Sequence, residues 1–249
     1  MPSTPSPKLR KIGFIPDCHW PYADKRAWGV MVRAMRTLKP DTLVTLGDFG
    51  DFYCTSRHTK DPNRSRDLKT EVDACNDALD ELDTLGVKDK RFILGNHEDN
   101  LERYLSERAP ELYNLVRVEE LFLLKGRGWK VIPYKDFDRI GRLVLTHDVG
   151  YAGRDAHLRS GSDVGANILI GHTHRLATGY SSDLLGKHRV AAMSGWLGDR
   201  HAAEYMYKAK TKDWALGFSV GYQETNGTVH VFPVPIVDYR CVLEGRIII

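Results

Sequence analysis

Side chains that can bind metal ions occur in five short clusters, each directly after a predicted β-strand. The clusters are 17–19 (DCH), 47–51 (GDFGD), 95–98 (GNHE), 147 (H) and 171–174 (GHTH). The carboxyl ends of parallel strands meet at one edge of a sheet, and ligands bind there because the loops converge on one crevice. We therefore expect the Asp, Asn and His side chains of these clusters to gather in one site.

The residue types in these clusters indicate catalytic divalent cations. Asp17 and His19 are two positions apart, as are His172 and His174, so each pair can project to a common side. The set combines carboxylate, imidazole and amide groups without a cysteine pair, which suits Mn²⁺ or ions of Fe, Zn, Co or Ni. Seven good ligands are more than one open catalytic ion uses, so we expect two ions that share one carboxylate.

In the first half of the chain, predicted strands alternate with predicted helices, and these elements must position the metal-capable side chains. Predicted strands at 11–16, 41–46 and 91–94 alternate with predicted helices at 24–39, 67–85 and 98–109. This rhythm is typical of parallel strands with right-handed crossovers. Beyond residue 125 the pattern changes to short strands at 129–134, 142–146, 167–170, 175–181, 189–193, 214–223 and 228–234.

These elements predict an α/β fold of mixed α+β character, with two mixed sheets packed face to face and helices outside. No repeat or linker separates the two halves, so we expect one domain over 11–249 after a loose tail at 1–10. The terminal segment 238–249 ends in three isoleucines and could add an edge strand or dock on a partner subunit.

The composition is that of an ordinary globular protein, with 42% hydrophobic and 28% charged residues among 249. No apolar stretch approaches the roughly 18 residues that span a bilayer, and the N-terminus lacks the apolar run of a signal peptide. Four widely spaced cysteines predict a reducing environment, so we expect a cytoplasmic protein without a membrane partner. A net charge of +3 permits an anionic substrate without requiring one.

The ordered motifs DxH, GDxxD, GNHE, H and GHTH resemble those of the calcineurin-like metallophosphoesterase superfamily. The match extends from Asp17 to His174 and implies a two-sheet β-sandwich flanked by helices. It also implies two metal positions that share Asp48. The first would be held by Asp17, His19, Asp48 and His174, and the second by Asp48, Asn96, His147 and His172.

The resemblance implies that the chain hydrolyses a phosphate ester. Two cations about 3.5–4 Å apart can clamp the anionic oxygens and convert a bound water into the attacking hydroxide. His97 is the expected general acid or charge stabiliser for the leaving alkoxide. Asp51 resembles the position that holds the other ring nitrogen of this histidine, although a turn or helix cap would also explain it. Glu98 is expected to cap the helix that starts there.

One departure from the family pattern favours diesters over phosphoproteins. In the phosphoprotein phosphatase branch an arginine follows the GDxxD motif, whereas this chain has Phe52. The bidentate clamp for a monoester dianion is therefore missing from that place.

Two further segments are candidates for substrate binding. The basic segment 56–66 includes Arg57 and His58 and could bind further phosphates or a nucleic-acid backbone, or be a solvated loop. His201 follows the strand after GHTH, near Trp196 and Tyr205, and aromatic residues there could stack on a base or pack in the core.

The leading interpretation is a dinuclear metal-dependent phosphodiesterase that acts on a nucleotide-like or small diester. A DNA or RNA nuclease of the same superfamily is an alternative, disfavoured by the low net charge and the lack of a basic helix. A catalytically silent protein-binding scaffold is the third reading. Such members lose metal ligands or the catalytic histidine, whereas this chain retains them. The sequence does not predict an oligomeric state.

Overall fold

The first half of the chain forms the expected alternation of strands and helices in a computed structural model that describes residues 8–60, 67–202 and 213–249. Its elements are β1 Arg10–Ile15, α1 Lys25–Leu38, β2 Thr42–Thr45, α2 Leu68–Asp83, β3 Asp89–Ile93, α3 Asn96–Arg108, α4 Val118–Leu121 and β4 Trp129–Ile132. Asp24 and Asp67 cap α1 and α2, because each carboxylate accepts hydrogen bonds from backbone N–H groups of the first turn. β1 already begins at Arg10, one residue before the predicted domain boundary.

The second half is rich in strands, as expected. Its elements are β5 Asp138–Ile140, β6 Leu143–Thr146, α5 Ala156–Val164, β7 Asn167–Ile170, β8 Leu176–Ser182, β9 His188–Ser194, β10 Gly217–Gln223, β11 Val229–Pro235, β12 Cys241–Leu243 and β13 Arg246–Ile248. Neither β5 nor α5 was predicted from the sequence. Helix α5 buries only Ala156, His157, Ser160 and Gly161, so it lacks the apolar stripe that reveals a helix in a sequence.

Eleven of the strands form two sheets. One has the order β11-β10-β1-β2-β3-β4, in which β1 to β4 are parallel, and the other has the order β5-β6-β7-β9-β8, in which β6, β7 and β9 are parallel. The carboxyl ends of β1, β2, β3, β6 and β7 each lead into one of the motif-bearing loops. Sheet topology therefore accounts for the convergence of these loops.

The core lies in three layers. Apolar side chains of both sheets meet between them, with Ile12, Phe14, Val44, Leu46, Ile93, Leu143, Leu145 and Leu169 among the buried members. Helices α1, α2 and α3 cover the other face of the six-stranded sheet, and α5 covers the outer face of the five-stranded sheet. This confirms the predicted sandwich of two sheets flanked by helices.

The C-terminal segment forms a hairpin of β12 and β13 that packs on the side of α1. Cys241, Leu243 and Ile248 point into the core there, whereas Ile247 and Ile249 are exposed. None of the helices in the described part of the chain has the length and apolar character that crossing a membrane requires.

Candidate metal centre

All seven predicted ligands follow strands of the two sheets. Asp17 and His19 follow β1, Asp48 follows β2, Asn96 begins α3 after β3, His147 follows β6, and His172 and His174 follow β7. The structure brings these side chains together, and we call these seven candidate ligands the metal-binding cluster. Cys18, between two of them, is buried and donates from its thiol to the Pro16 carbonyl instead.

The first metal position consists of Asp17, His19, Asp48 and His174. All four are buried, and their ligand atoms lie within 4.8 Å of one another. The Nε2 atoms of His19 and His174 are 3.0 Å apart, and the Nε2 of His174 is 3.1 Å from Oδ2 of Asp17. Imidazole nitrogens and carboxylate oxygens that converge on one point form a donor set that fits a divalent cation.

The second metal position consists of Asp48, Asn96, His147 and His172. The Nε2 of His147 is 3.2 Å from Oδ2 of Asp48 and 3.0 Å from Oδ1 of Asn96. The Nδ1 of His172 is 2.9 Å from the same Asn96 oxygen. Asp48 is therefore common to both positions, which is the placement a bridging carboxylate requires.

The backbone of these loops is held in an unusual conformation. His19, Asp48, His172 and His174 have φ values of +55°, +49°, +63° and +56°. Residues other than glycine rarely adopt such values, and they cluster at functional sites where the surrounding structure imposes them. Gly95 passes so close to Asp48 that a Cβ atom there would collide with its carboxylate. The chain thus accepts local strain to aim these side chains inward.

Asp48 and His147 each shift the pKa of the other. Burial raises the pKa of Asp48, but the neighbouring imidazoles of His147 and His97 outweigh burial, so the pKa lies well below its ordinary value. Burial lowers the pKa of His147, and the Asp48 carboxylate overcomes this and raises the pKa above its ordinary value. His147 therefore holds a proton against Asp48, and metal binding at the second position would release that proton.

The remaining histidines of the cluster favour the neutral state. Burial lowers the pKa of His19, His172 and His174 below the ordinary value of imidazole. Burial also raises the pKa of Asp17 to about 6. Neutral imidazole is the form that coordinates metals, so the protonation states of these three histidines fit the inferred role.

His97 lies beside the cluster without joining either position. Its backbone N–H donates to Oδ1 of Asp48 at 2.9 Å, and its Nδ1 lies 2.6 Å from the backbone carbonyl of Asp51. A carbonyl can only accept, so Nδ1 carries a proton and Nε2 is left for chemistry. Burial lowers the pKa of His97, but Asp48 and Asp51 outweigh it and raise the pKa.

Asp51 contacts two histidines. Its Oδ1 lies 3.0 Å from Nδ1 of His19 and 3.4 Å from Nδ1 of His97. From its likeness to the family motif, Asp51 was expected to hold His97 through its side chain. In the structure its backbone carbonyl makes the shorter contact with His97, and its carboxylate is closer to the metal-binding His19.

Two tryptophans enclose His174. The indole of Trp196 stacks on its ring at 5.0 Å with an interplanar angle of 12°, and Trp214 meets it edge-on at 4.1 Å. Trp196 is 1% exposed, so it packs in the core and cannot stack on a base. Trp214 was not predicted as a site residue, since it precedes β10 and follows no motif. Tyr205 lies outside the described residues.

A buried carboxylate lies beside the second position. Asp148 directly follows His147, accepts a hydrogen bond of 2.7 Å from the Gly150 N–H and forms an ion pair with Lys135. Burial raises the pKa of Asp148, whereas Lys135 and His147 outweigh burial and lower it. Asp148 was not predicted as a site residue, although its position directly after His147 in the sequence could have identified it.

The three candidate substrate-binding residues lie outside the metal-binding cluster. Arg57 is exposed and forms an ion pair with Glu107, ten residues along α3 from His97 and hence about 15 Å away along the helix axis. His58 and His201 are exposed, and the His201 backbone N–H donates to Asp199 at 2.8 Å. Residues 61–66 of the basic segment lie outside the described residues.

Known proteins resemble this chain in sequence and in fold. Two bacteriophage proteins, each named Gene 54 protein, from Mycobacterium phage D29 and Mycobacterium phage L5, are 27% identical to this chain, and the alignments cover 96% of this chain and 98% of each phage protein. The solved structure of Vacuolar Protein Sorting 29 from Cryptosporidium parvum matches with a TM-score of 0.48 and 14% identity, over 96% of this chain and 94% of that chain. The family described as calcineurin-like phosphoesterase matches residues 10–209, which include the entire metal-binding cluster. The chain belongs to the calcineurin-like phosphoesterase family.

Proposed function

We propose that this chain is a phosphodiesterase that uses two divalent metal ions and acts on nucleotide-like or small diesters. The observation that carries the proposal is the placement of Asp48, which belongs to two groups of metal-capable atoms and also accepts a hydrogen bond from the backbone of His97. Ligands for two ions and a proton-carrying imidazole are the components that metal-assisted hydrolysis of a phosphate ester needs.

The protein's own residues would divide this work. Divalent ions, when bound, supply charge neutralisation of the phosphate oxygens and make water acidic. The metal-binding cluster fixes where the phosphate lies. His97 would then donate a proton from Nε2 to the leaving oxygen, because its Nδ1 is occupied by the Asp51 carbonyl. The raised pKa of His97 supports this role, since it favours the protonated form that an acid needs.

The environment of Phe52 supports the preference for diesters. Phe52 is 1% exposed, and its ring packs 5.8 Å from that of Phe122 in the core under the helices. This position therefore offers apolar packing and no guanidinium for a monoester dianion. Arg57, the next arginine along the chain, pairs with Glu107 instead of supplying the missing clamp.

The donor set supports Mn²⁺ as the preferred ion. Carboxylate and amide oxygens suit hard ions such as Mn²⁺, and the imidazoles extend the choice toward Fe, Zn, Co and Ni. No cysteine belongs to the groups of metal-capable residues in the described part of the chain.

Hydrolysis of bis-p-nitrophenyl phosphate tests the proposal, with p-nitrophenyl phosphate as the matched monoester. Protein reconstituted with Mn²⁺ should cleave the diester with the higher kcat/KM, and EDTA should abolish the activity. Cyclic nucleotides, dinucleotides, single-stranded DNA and phosphopeptides belong in the same screen. Faster cleavage of DNA would favour a nuclease, faster cleavage of phosphopeptides would favour a protein phosphatase, and two bound ions with no hydrolysis would favour the scaffold.

A further inference from the structure

The geometry points to Glu98 as a positioning residue that holds the loop of Asp48 against the first turn of α3, which contains Asn96 and His97. This inference rests on the metal centre of the proposed function and goes beyond it, because Glu98 is not one of the metal-capable residues. Glu98 lies in the first turn of α3 and is fully buried. The sequence predicts it only as a cap of its own helix.

The carboxylate of Glu98 does more than cap α3. Oε2 accepts from the Gly95 N–H at 2.7 Å, which is the capping contact, and also from the Asp48 N–H at 2.9 Å. Oε1 accepts from the Gly50 N–H at 2.9 Å. Two of its three donors therefore belong to the loop after β2, about 50 residues away in sequence.

The link between the Asp48 loop and the first turn of α3 is reciprocal. The Glu98 side chain accepts from the backbone of Asp48, and the Asp48 side chain accepts from the backbone of His97 at 2.9 Å. The two contacts connect the same two segments in opposite directions, so a shift of one segment relative to the other would strain or break them. Because Asp48 is common to both metal positions, a shift of this loop would disturb both.

The strained backbone of Asp48 explains why such a contact is needed. Asp48 has φ +49°, a conformation that costs free energy in a residue with a side chain and persists only when its surroundings impose it. The hydrogen bond of 2.9 Å from its N–H to the buried Glu98 side chain would be lost if this loop moved away, which would leave a buried donor unsatisfied. Glu98 thus helps to hold Asp48 in the conformation that directs its carboxylate at the metal positions.

Glu98→Gln removes this arrangement with almost no change in volume. A glutamine offers one accepting oxygen, so its amide N–H₂ would face at least one of the three N–H donors. Asp67→Asn is the matched control. Asp67 also caps a helix, and it accepts from Lys69 N, Thr70 N and the Thr70 hydroxyl in the first turn of its own helix α2.

Mn²⁺ binding to metal-free protein, measured by calorimetry without substrate, tests the inference. We expect Glu98→Gln to weaken Mn²⁺ affinity about 10–100-fold, the usual effect of removing a group that orients metal ligands, and Asp67→Asn to leave it unchanged. The absorption bands of bound Co²⁺ should change in Glu98→Gln and not in Asp67→Asn. Wild-type affinity and spectrum in Glu98→Gln would overturn the inference.

A second variant keeps the test decisive if Glu98→Gln does not fold. Glu98→Asp keeps the charge and shortens the side chain by one methylene, so it should still cap Gly95 but lose reach toward Asp48 and Gly50. This variant should fold but bind Mn²⁺ more weakly than the wild type. Wild-type affinity in Glu98→Asp would mean that Glu98 only caps its helix. Since no substrate enters these measurements, absence of diesterase activity would overturn the proposed function and leave this inference standing.

Discussion

The two metal positions share Asp48 but are supported in different ways. At the first position every ligand is buried, and its two histidines are held by side chains: His19 by the Asp51 carboxylate, and His174 by the stacked indole of Trp196. At the second position His147 is held by a backbone carbonyl, because its Nδ1 lies 2.8 Å from the oxygen of Leu46.

The ligands of the second position are also more exposed to solvent than those of the first. Asn96 and His172, which belong only to the second position, are half-buried, as is His97 beside them. The first position is thus enclosed by side chains, whereas the second opens toward the surface next to the proposed acid. We infer that substrate approaches from the side of the second position and that an ion there exchanges more readily.

The largest effect is expected from a change at Asp48, because both metal positions depend on it. Asp48→Asn should deplete both ions, because a neutral amide bridges two cations poorly, and lower kcat/KM by more than the loss of His97 does. Metal content by elemental analysis and hydrolysis of bis-p-nitrophenyl phosphate measure the two effects. Asp41→Asn is the control, since Asp41 precedes β2 and accepts a hydrogen bond from the Lys11 N–H at the opposite end of that strand. An Asp48→Asn variant with two ions and full activity would contradict the bridging role.

The next largest effect is expected at His97, whose loss should slow the reaction without loss of metal ions. His97→Ala should leave both ions bound and lower kcat about 10²–10⁴-fold, the usual contribution of a positioned acid or base. His157→Ala, which removes a buried histidine from α5, is the matched control for loss of a core imidazole. If His97→Ala loses metal along with activity, His97 is a ligand or a support for one and not the acid.

A third prediction tests the difference in openness directly. When EDTA is added to protein loaded with Mn²⁺, release should occur in two phases, with the faster phase from the second position. The two affinities should differ about tenfold or more, within the range by which the surroundings of ligands change metal binding. His172→Ala should remove the faster phase and His174→Ala the slower one. A single phase in the wild type, or the opposite assignment in the variants, would contradict the comparison.

Much of this arrangement was predictable from sequence because it depends on local order along the chain. Each metal-capable residue directly follows an apolar strand, and parallel strands bring such positions to one edge. The fold class and most strand positions follow from the same pattern. Helix α5 escaped prediction because small and polar residues, such as Ser160 and Gly161, line its buried face.

Contacts between distant segments could not be predicted in this way. Arg57 follows the GDxxD motif closely, which suggested substrate binding, but its partner Glu107 is 50 residues further along the chain. Trp214 and His174 likewise come from distant segments, and the Ala215 N–H, which donates to the His174 carbonyl at 2.9 Å, joins these segments where the two rings meet. These contacts depend on which elements pack together, and no spacing within one segment encodes that.

The smallest expected effect concerns the aromatic support of the first position. Trp196→Leu removes the ring that stacks on His174 and keeps an apolar side chain in its place. Aromatic pairs contribute about 0.5–1.5 kcal/mol beyond burial, so Mn²⁺ affinity at the first position should fall about two- to tenfold. Trp129→Leu is the matched control, because Trp129 is also buried but packs on Phe92 under the helices. Both variants should lose thermal stability, but only Trp196→Leu should speed the slower phase of Mn²⁺ release. Equal release kinetics in the two variants would mean that Trp196 stabilises the core without orienting His174.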